Sequence, residues 1–400
     1  MQVEIHPDTP ERHDEREKIL AMIDAGAEEA IGLARWMGDH PELALEERQT
    51  HARYVSYLGA RDFKVERGQA GMETAFVASW GDESAPLCAA LLAEMDALPE
   101  IGHACGHNLS GPASLLAASA LARSLEPSAA RILVVGCPAE EIGVGKKRLV
   151  EADTFAPADV ALMAHASDMR RAHRLFLGNR KYEFVYHGTA SHAAAYPHEG
   201  RNALDGLIAL FVGLGLVRQQ LHPSVRVHGI ISDGGQAPNV IPERAAARIW
   251  VRALEDARLE EAVDRVLECA RGAAQQTRTR LEIVQERGGS PPMRPNLPLA
   301  DTYRRQLDRL GLAETTHAPG ECIGSSDITH ISRVVPTIHP NFPIGDDLQL
   351  HTRAFAEATR SERGEQGLLE AARALALTVH EMAREPGLRR AVAEADRATR

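Results

Sequence analysis

Residues 87–95 read LCAALLAEM, a short apolar run broken only by Glu94 near its end. Such a run is typical of a strand that is buried on both faces of a sheet. RILVVGC (131–137) and DVALMAH (159–165) have the same texture, and helical patterns separate the three segments. Buried strands that alternate with helices predict an α/β domain with a mainly parallel sheet flanked by helices.

The pattern changes after the third of these strands, because the next strands alternate polar and apolar residues. They are RKYEFVYHG (180–188), SVRVHGIIS (224–232), AAARIWVRA (245–253) and RLEIVQE (280–286). With the helical patterns between them, the order is β-α-β-β-α-β, which predicts a four-stranded sheet with both helices on one face. We therefore predict a domain of residues 179–289 inserted into a larger domain formed by residues 1–178 and 290–400.

Composition excludes several classes of protein. The chain has 400 residues, 44% of them hydrophobic, and a net charge of −11 without a basic, aromatic-rich run that would bind nucleic acid. The charged first 18 residues do not resemble a signal peptide, and no uncharged apolar span long enough for a bilayer is expected. Five cysteines without a CxxC pair argue against a disulfide framework. We expect a cytoplasmic protein that acts on a small molecule, without membrane or nucleic-acid partners.

Polar side chains follow the first buried strand in EMDALPEIGHACGHN (94–108). Ligands of open α/β sheets bind beyond the carboxyl ends of the strands, where Asp96, Cys105 and His107 would lie. This loop alone does not decide between a metal site and a polar turn in which Asn108 caps the next helix.

The ends of the next two strands favour the metal site. Glu140 and Glu141 follow the second buried strand, and His165 ends the third. An acid pair alone is more often a solvated turn, and a lone histidine is more often a simple hydrogen-bonding residue. Together with His351, which precedes a late helical segment, these residues form a mixed nitrogen, oxygen and sulfur set that suits Zn or Mn. One glutamate could bind metal while the other acts as general base in a hydrolysis.

The chain resembles a known family from HPELALEE (40–47) to HTRAF (351–355). The motifs between them include MDALPEIGHACGHN, PAEEIGVGKK, ALMAH, GTASHAAAYPHEGRNALD, GGQAPNVIPERAAARIWVRA and GSSDITHISRVVPTIHP. In this order they resemble the aminoacylase-like metallopeptidases, in the amidohydrolase branch of hippurate, indole-3-acetyl-amino-acid and p-aminobenzoyl-glutamate hydrolases and β-alanyl-lysine dipeptidase. The resemblance implies a catalytic α/β domain with an inserted ferredoxin-like lid that forms homodimers.

The resemblance also implies roles for the residues of the catalytic domain. It implies two divalent metal ions, Zn or Mn, bridged by Cys105, with His107, Glu141, His165 and His351 as the other ligands. Glu140 would be the general base that takes a proton from the attacking water and passes it to the leaving amine. Asp96 would orient a ligand instead of binding metal.

Three residues of the inserted domain receive roles in the same way. His192 would stabilise the oxyanion of the tetrahedral intermediate, either in its own protomer or in the partner. Asn239 and Arg252 would hold a carboxylate of the substrate, a task that suits a bidentate arginine.

Two positions depart from the pattern of many relatives. Glu94 stands where relatives outside the branch have a histidine, so one imidazole ligand is missing. Asn108 replaces the aspartate that is common after CGH, which removes a negative charge near the metals. Neither departure touches Glu140.

The sequence thus predicts a metal-dependent amidohydrolase acting on an N-acyl amino acid, a dipeptide or an aminobenzoyl-amino acid. An aminohydrolase that releases ammonia from an aromatic amine would use the same activated water and is the alternative. A non-catalytic binding protein that kept the fold is a further alternative, against which the complete ligand set argues.

Overall fold

The computed structural model describes residues 9–315 and 324–400, so residues 1–8 and 316–323 lie outside it. The described chain forms two compact units. The smaller unit, called the lid below, contains Phe176–Met293 and a short later segment that ends at Thr329. The larger unit, called the catalytic unit, contains the other described residues.

The elements are numbered in chain order. The strands are β1 (Lys64–Arg67), β2 (Phe76–Trp80), β3 (Cys88–Glu94), β4 (Arg131–Cys137), β5 (Val160–Leu162), β6 (His165–Ser167), β7 (Gly178–His187), β8 (Arg226–Asp233), β9 (Arg244–Ala253), β10 (Arg280–Gln285), β11 (Thr337–Ile338) and β12 (Asn341–Pro343). The helices are α1 (Pro10–Asp39), α2 (Arg48–Gly59), α3 (His107–Ser124), α4 (Gly145–Glu151), α5 (Ala203–Val217), α6 (Asp256–Thr277), α7 (Leu297–Arg309), α8 (Ile328–Ile331), α9 (Arg353–Ala358), α10 (Glu362–Arg384) and α11 (Pro386–Thr399).

The catalytic unit is built on a six-stranded sheet in the order β1-β2-β4-β3-β5-β11. Strands β3, β4, β5 and β11 are parallel, and β2 and β1 extend the sheet antiparallel. Every residue of β3 is buried, as its unbroken apolar run predicts. Helices α1, α3 and α10 pack against one another and contribute to the same core. The α/β fold class with a mainly parallel sheet is confirmed.

Two local interpretations of the catalytic unit are wrong. DVALMAH does not form one strand, because β5 ends at Leu162 and His165 opens β6, which pairs with β12 in a separate two-stranded sheet. Helix α3 begins at His107 with Gly106 at its N-cap, so Asn108 lies inside the helix and does not cap it.

The lid contains an antiparallel sheet in the order β10-β7-β9-β8, with α5 and α6 packed on it. Alternate residues of the strands, such as Phe184 on β7 and Ile249 on β9, fill the core between sheet and helices. The hydroxyl of Tyr186 donates to the carbonyl of Ala270 on α6 and ties that helix to β7. The observed order is the β-α-β-β-α-β order read from the sequence.

Helix α5 is apolar on both of its faces. Leu207, Leu210 and Leu214 are buried against the lid sheet. On the other side Val212 is 60% exposed and Leu216 is 70% exposed. By length and composition alone, Ala203–Gln220 could also cross a bilayer, although it contains the charged residues Asp205 and Arg218.

Candidate metal centre and lid residues

Five of the predicted metal-site residues meet at one edge of the catalytic unit. The ligand atoms of Cys105, His107 and His165 lie within 4.8 Å of one another. Glu140 and Glu141 form an equally close group with Cys105 and His107. They follow β3 and β4 or open β6, so the strand ends bring together residues that are far apart in the sequence.

His107 is fixed by Asp96 through the first turn of α3. Its Nδ1 donates to the backbone carbonyl of Asp96 at 2.8 Å and lies 3.4 Å from the Asp96 carboxylate. The Asp96 carboxylate also accepts from the backbone N–H of Glu141 at 2.9 Å. Because Nδ1 of His107 is hydrogen-bonded to Asp96, its Nε2 faces the neighbouring candidate ligands. No described residue hydrogen-bonds to this Nε2.

His165 is oriented by the backbone in a similar way. Its Nδ1 donates to the carbonyl of Ala166 at 2.8 Å, and its Nε2 lies 3.5 Å from Sγ of Cys105. Gly106 makes this approach feasible, since it has φ +89° and a Cβ there would lie 2.5 Å from Cβ of Ala166. Burial lowers the pKa of His165 to about 4, so its imidazole is neutral, the form that binds metal.

The ligand set fits divalent cations and fits poorly without them. Burial raises the pKa of the Cys105 thiol well above its ordinary value, and a thiolate in this place needs a cation beside it. Burial lowers the pKa of His107, but the charge of Glu94 and its other anionic neighbours hold it well above the ordinary value. A metal ion would therefore take the place of a proton at His107.

The acid pair follows a strained turn. Ala139, just before it, has φ +60°, and its N–H donates to the carboxylate of Glu47 at 2.9 Å. Glu47 is fully buried and also accepts from the Thr74 hydroxyl. Left-handed backbone at a residue with a side chain costs free energy and is found mainly where surrounding contacts enforce it. Here Glu47 enforces the turn that carries Glu140 and Glu141.

Glu141 and His351 lie side by side. Nε2 of His351 is 3.5 Å from the Glu141 carboxylate, while the backbone N–H of His351 donates to the carbonyl of Ala104. Oε1 of Glu141 is buried, and none of the described residues hydrogen-bonds to it. Burial raises the pKa of Glu141, and a cation bound beside this carboxylate would favour its charged form. His351 is half-exposed, at the margin of the group.

Sequence reasoning missed two buried residues next to the ligands. His339 stacks on the His165 ring with centroids 5.2 Å apart, and it follows β11, so its position after a strand was a usable signal. Lys146 is fully buried, although the KKR of its segment is typical of an exposed helix. His103, in contrast, is buried with no hydrogen-bond partner among the described residues and lies outside the ligand groups.

His192 and Asn239 are neighbours on the surface of the lid. The carbonyl of Asn239 accepts from the N–H of Ala193 at 3.0 Å. Nδ1 of His192 accepts from the N–H groups of Ala194 and Ala195, which leaves the ring proton on Nε2. His192 thus offers an N–H donor to a bound molecule.

Arg252 lies on β9, on the sheet face that the lid helices leave open. Its Nε is buried, and no described residue hydrogen-bonds to it. Burial lowers the pKa of Arg252. The guanidinium lies 5.4 Å from the Trp250 ring, and the Lys181 ammonium lies 4.4 Å from the same ring. This face therefore presents two cations that can receive an anion.

Comparisons with known proteins agree with the two units. Residues 177–278 match the model of the peptidase dimerisation domain. The chain is 38% identical to the Xaa-Arg dipeptidase of Mus musculus, over 92% of this chain and 88% of the relative. It is 32% identical to one of the p-aminobenzoyl-glutamate hydrolase polypeptides of Escherichia coli, over 73% of this chain and 64% of the relative. A dinuclear metal binding peptidase of the M20 family from Bacillus subtilis has the same fold, with a TM-score of 0.72, 19% identity and coverage of 90% and 99%.

Proposed function

Since the chain belongs to the M20 family of metallopeptidases, we propose that it is a two-metal amidohydrolase that cleaves an N-acyl amino acid, a dipeptide or an aminobenzoyl-amino acid. The observation that carries this proposal is that Cys105 and His107 lie within 4.8 Å of His165 in one group of ligand atoms and of Glu140 and Glu141 in another. The products would be a carboxylic acid and an amine that is itself an amino acid.

Cys105, His107, Glu141, His165 and His351 would hold the ions. The thiolate favours Zn, and the carboxylate and imidazole ligands also accept Mn. Bound divalent ions would lower the pKa of the attacking water and polarise the amide carbonyl.

Glu140 is the proton carrier in this proposal. Its carboxylate lies 3.9 Å from Nε2 of His107, on the open side of the ligand group, and it is more accessible than Glu141. From there it can take a proton from the attacking water and pass it to the nitrogen of the breaking amide bond. In this proposal Glu141 is a metal ligand and Glu140 is the general base.

The lid would recognise the rest of the substrate. The Nε2–H of His192 would donate to the oxyanion of the tetrahedral intermediate. Asn239 and Arg252 would hold the free carboxylate of the amino-acid product, a role that the unused donor of Arg252 supports. The mouse relative is named for Xaa-Arg dipeptides and the bacterial relative for p-aminobenzoyl-glutamate, and both substrates end in such a carboxylate.

The lid would also form a homodimer. The exposed apolar face of α5, with Ile208, Val212 and Leu216, lies in the segment that matches a dimerisation domain. Strand β8 is an edge of the lid sheet and exposes Ile230 and Ile231 beside free backbone groups. Joining two such faces would bury apolar surface and pair two open edges.

A hydrolysis assay tests the proposal. The metal-loaded protein should release amino acids from Xaa-Arg dipeptides or glutamate from p-aminobenzoyl-glutamate. Glu140→Gln should lower kcat by about 10²–10⁴-fold while metal content stays unchanged. Glu126→Gln, an exposed substitution after α3, is the matched control. Full activity of Glu140→Gln, or release of ammonia from aromatic amines in place of amide cleavage, would contradict the proposal.

A further inference from the structure

A buried ion pair lies directly beside the candidate metal ligands. Glu94, at the end of β3, and Lys146, in the first turn of α4, are both completely buried. The Lys146 ammonium lies 2.5 Å from Oε1 of Glu94. Placing two charges in the interior costs free energy that their attraction often fails to recover, so such a pair calls for a functional explanation.

The second oxygen of Glu94 faces the metal ligands. Oε2 lies 3.2 Å from Nε2 of His107, the nitrogen that Asp96 leaves free for a metal. No described residue donates a conventional hydrogen bond to Oε2. Two atoms with free lone pairs at this distance repel each other unless a cation lies between them. A divalent ion bound by both atoms would occupy that place.

The spacing of these two atoms suits a shared ion. Ligands about 2.1 Å from a tetrahedral ion lie about 3.4 Å from each other. The 3.2 Å between Glu94 Oε2 and His107 Nε2 is close to that value.

The backbone holds both partners of the pair in place. The Tyr54 hydroxyl donates to the carbonyl of Glu94 at 3.2 Å. Lys146 follows Gly145, where a Cβ would lie 1.7 Å from the carbonyl oxygen of Pro138, so only glycine lets the turn after the acid pair close this tightly. The turn that carries Glu140 and Glu141 therefore also delivers the lysine to Glu94.

We propose that Glu94 is an additional metal ligand and that Lys146 is its positioning residue. Lys146 occupies one carboxylate oxygen and turns the other towards the ion bound by His107. It also offsets one of the negative charges that Glu94, Glu141 and the Cys105 thiolate bring to the site. This inference rests on the proposed two-metal function.

Metal titration of the full-length protein tests the inference. Wild-type and Glu94→Gln proteins are freed of metal with a chelator and titrated with Zn or Mn, with the bound ions counted by elemental analysis. Wild type should bind two ions per chain, and Glu94→Gln should bind one of them at least 10-fold more weakly. Glu370→Gln is the matched control, because Glu370 is also a buried acid in ion pairs, with Arg170 and Arg363, and belongs to none of the candidate ligand groups. Unchanged stoichiometry and affinity in Glu94→Gln would overturn the inference.

Lys146→Met gives a second test if Glu94→Gln does not fold. Without Lys146, Glu94 is a buried anion that lacks its partner in the metal-free protein, and a bound ion would compensate it. The rise in Tm on adding metal should therefore be larger in Lys146→Met than in wild type. An equal rise would mean that the ion pair only supports the core. Failure of wild type to bind any divalent ion would refute the proposed function itself, which separates the two outcomes.

Discussion

At the scale of single residues, the site depends on backbone positions that admit no side chain. Gly106, which follows Cys105, combines φ +89° with a Cβ position only 2.5 Å from Cβ of Ala166, the residue after His165. A methyl group there must push β6 away or twist the start of α3. Either movement would separate the sulfur from the imidazole.

Gly106→Ala should therefore damage both stability and metal binding. We expect a loss of about 2–4 kcal/mol in the free energy of unfolding, from backbone strain and overpacking together. Metal affinity should fall in the variant that still folds. Denaturant unfolding of the metal-free protein and metal titration measure the two effects.

Gly32→Ala is the control for this substitution. Gly32 lies within α1, and a Cβ there meets nothing within 4 Å. Alanine should stabilise the helix by about 0.5–1 kcal/mol, because it removes the entropic cost of glycine. Equal effects of the two variants would show that the crowding at Gly106 is unimportant.

Single residues also show the limit of sequence reasoning. Cys105, His107, Glu140, Glu141 and His165 could be proposed because each follows or ends a recognisable apolar strand pattern in the sequence, and the structure brings them together. Lys146 could not be found, because nothing in KKR distinguishes a buried lysine from an exposed one. Its burial depends on Glu94, 52 residues away, and on the tight turn before it.

At the scale of elements, the described structure differs from the expectation where strands and helices end. The central sheet could be predicted correctly because the residues of its inner strands are buried on both faces, which makes these strands continuous apolar runs in the sequence. The break between β5 and β6 was invisible, because Met163 and Ala164 are as apolar as their neighbours. The start of α3 at His107 could not be predicted either, since it depends on Gly106 and on tertiary contacts of His107.

Two helices of the catalytic unit are joined by a buried acid that makes stability depend on pH. Glu381 on α10 accepts from Arg305, Gln306 and Arg309 of α7. Burial raises the pKa of Glu381, but the hydrogen bonds and charges of these partners lower it overall. A carboxylate with a lowered pKa stabilises the fold above its unfolded pKa, about 4.3, and this contribution is lost as the pH falls through the folded pKa.

Glu381→Gln should remove this contribution. The variant should be less stable than wild type by about 1–3 kcal/mol at neutral pH, a figure discounted because the arginines are partly exposed. The difference should begin to shrink below the unfolded pKa, about 4.3, and should vanish once the pH lies below the folded pKa, where wild type loses the charge as well. Denaturant unfolding of both proteins across the pH range measures it. Asp24→Asn, in the exposed pair with Arg373, should change stability little at any pH, and a constant difference for Glu381→Gln would contradict the linkage.

At the scale of the whole molecule, the family could be predicted from the sequence, because the motifs span most of the chain. The exposed face of α5 could not be distinguished from a buried one by composition. Only the packing of Leu207, Leu210 and Leu214 shows which side is covered. The covering partner proposed above is a second copy of the chain.

Val212→Lys should prevent the proposed dimer from forming. The lysine would place an unpaired charge in the centre of the α5 face. Burying this charge in the dimer interface costs free energy, so association should weaken strongly. Size-exclusion chromatography with light scattering measures the mass, and Glu268→Lys, on the exposed side of α6, is the control. A monomeric wild-type protein, or an unchanged dimer in the variant, would contradict the proposal.

Removal of the metals should lower the stability of the molecule as well as its activity. Ions that bind only the native state raise its stability by mass action. Treatment with a chelator should therefore lower Tm, and adding Zn or Mn should restore it in a concentration-dependent way. An unchanged Tm across this cycle would contradict tight binding of ions by the native fold.

The separate pairing of β6 with β12 also has a kinetic consequence. His165 reaches the site only when residues 165–167 meet residues 341–343, after a long intervening stretch that includes the lid has been ordered. Contacts of such long sequence separation form late, because the loop must close first. Metal ions added during refolding should then leave the rate of folding unchanged and slow the rate of unfolding. Stopped-flow measurements with and without Zn would detect this asymmetry.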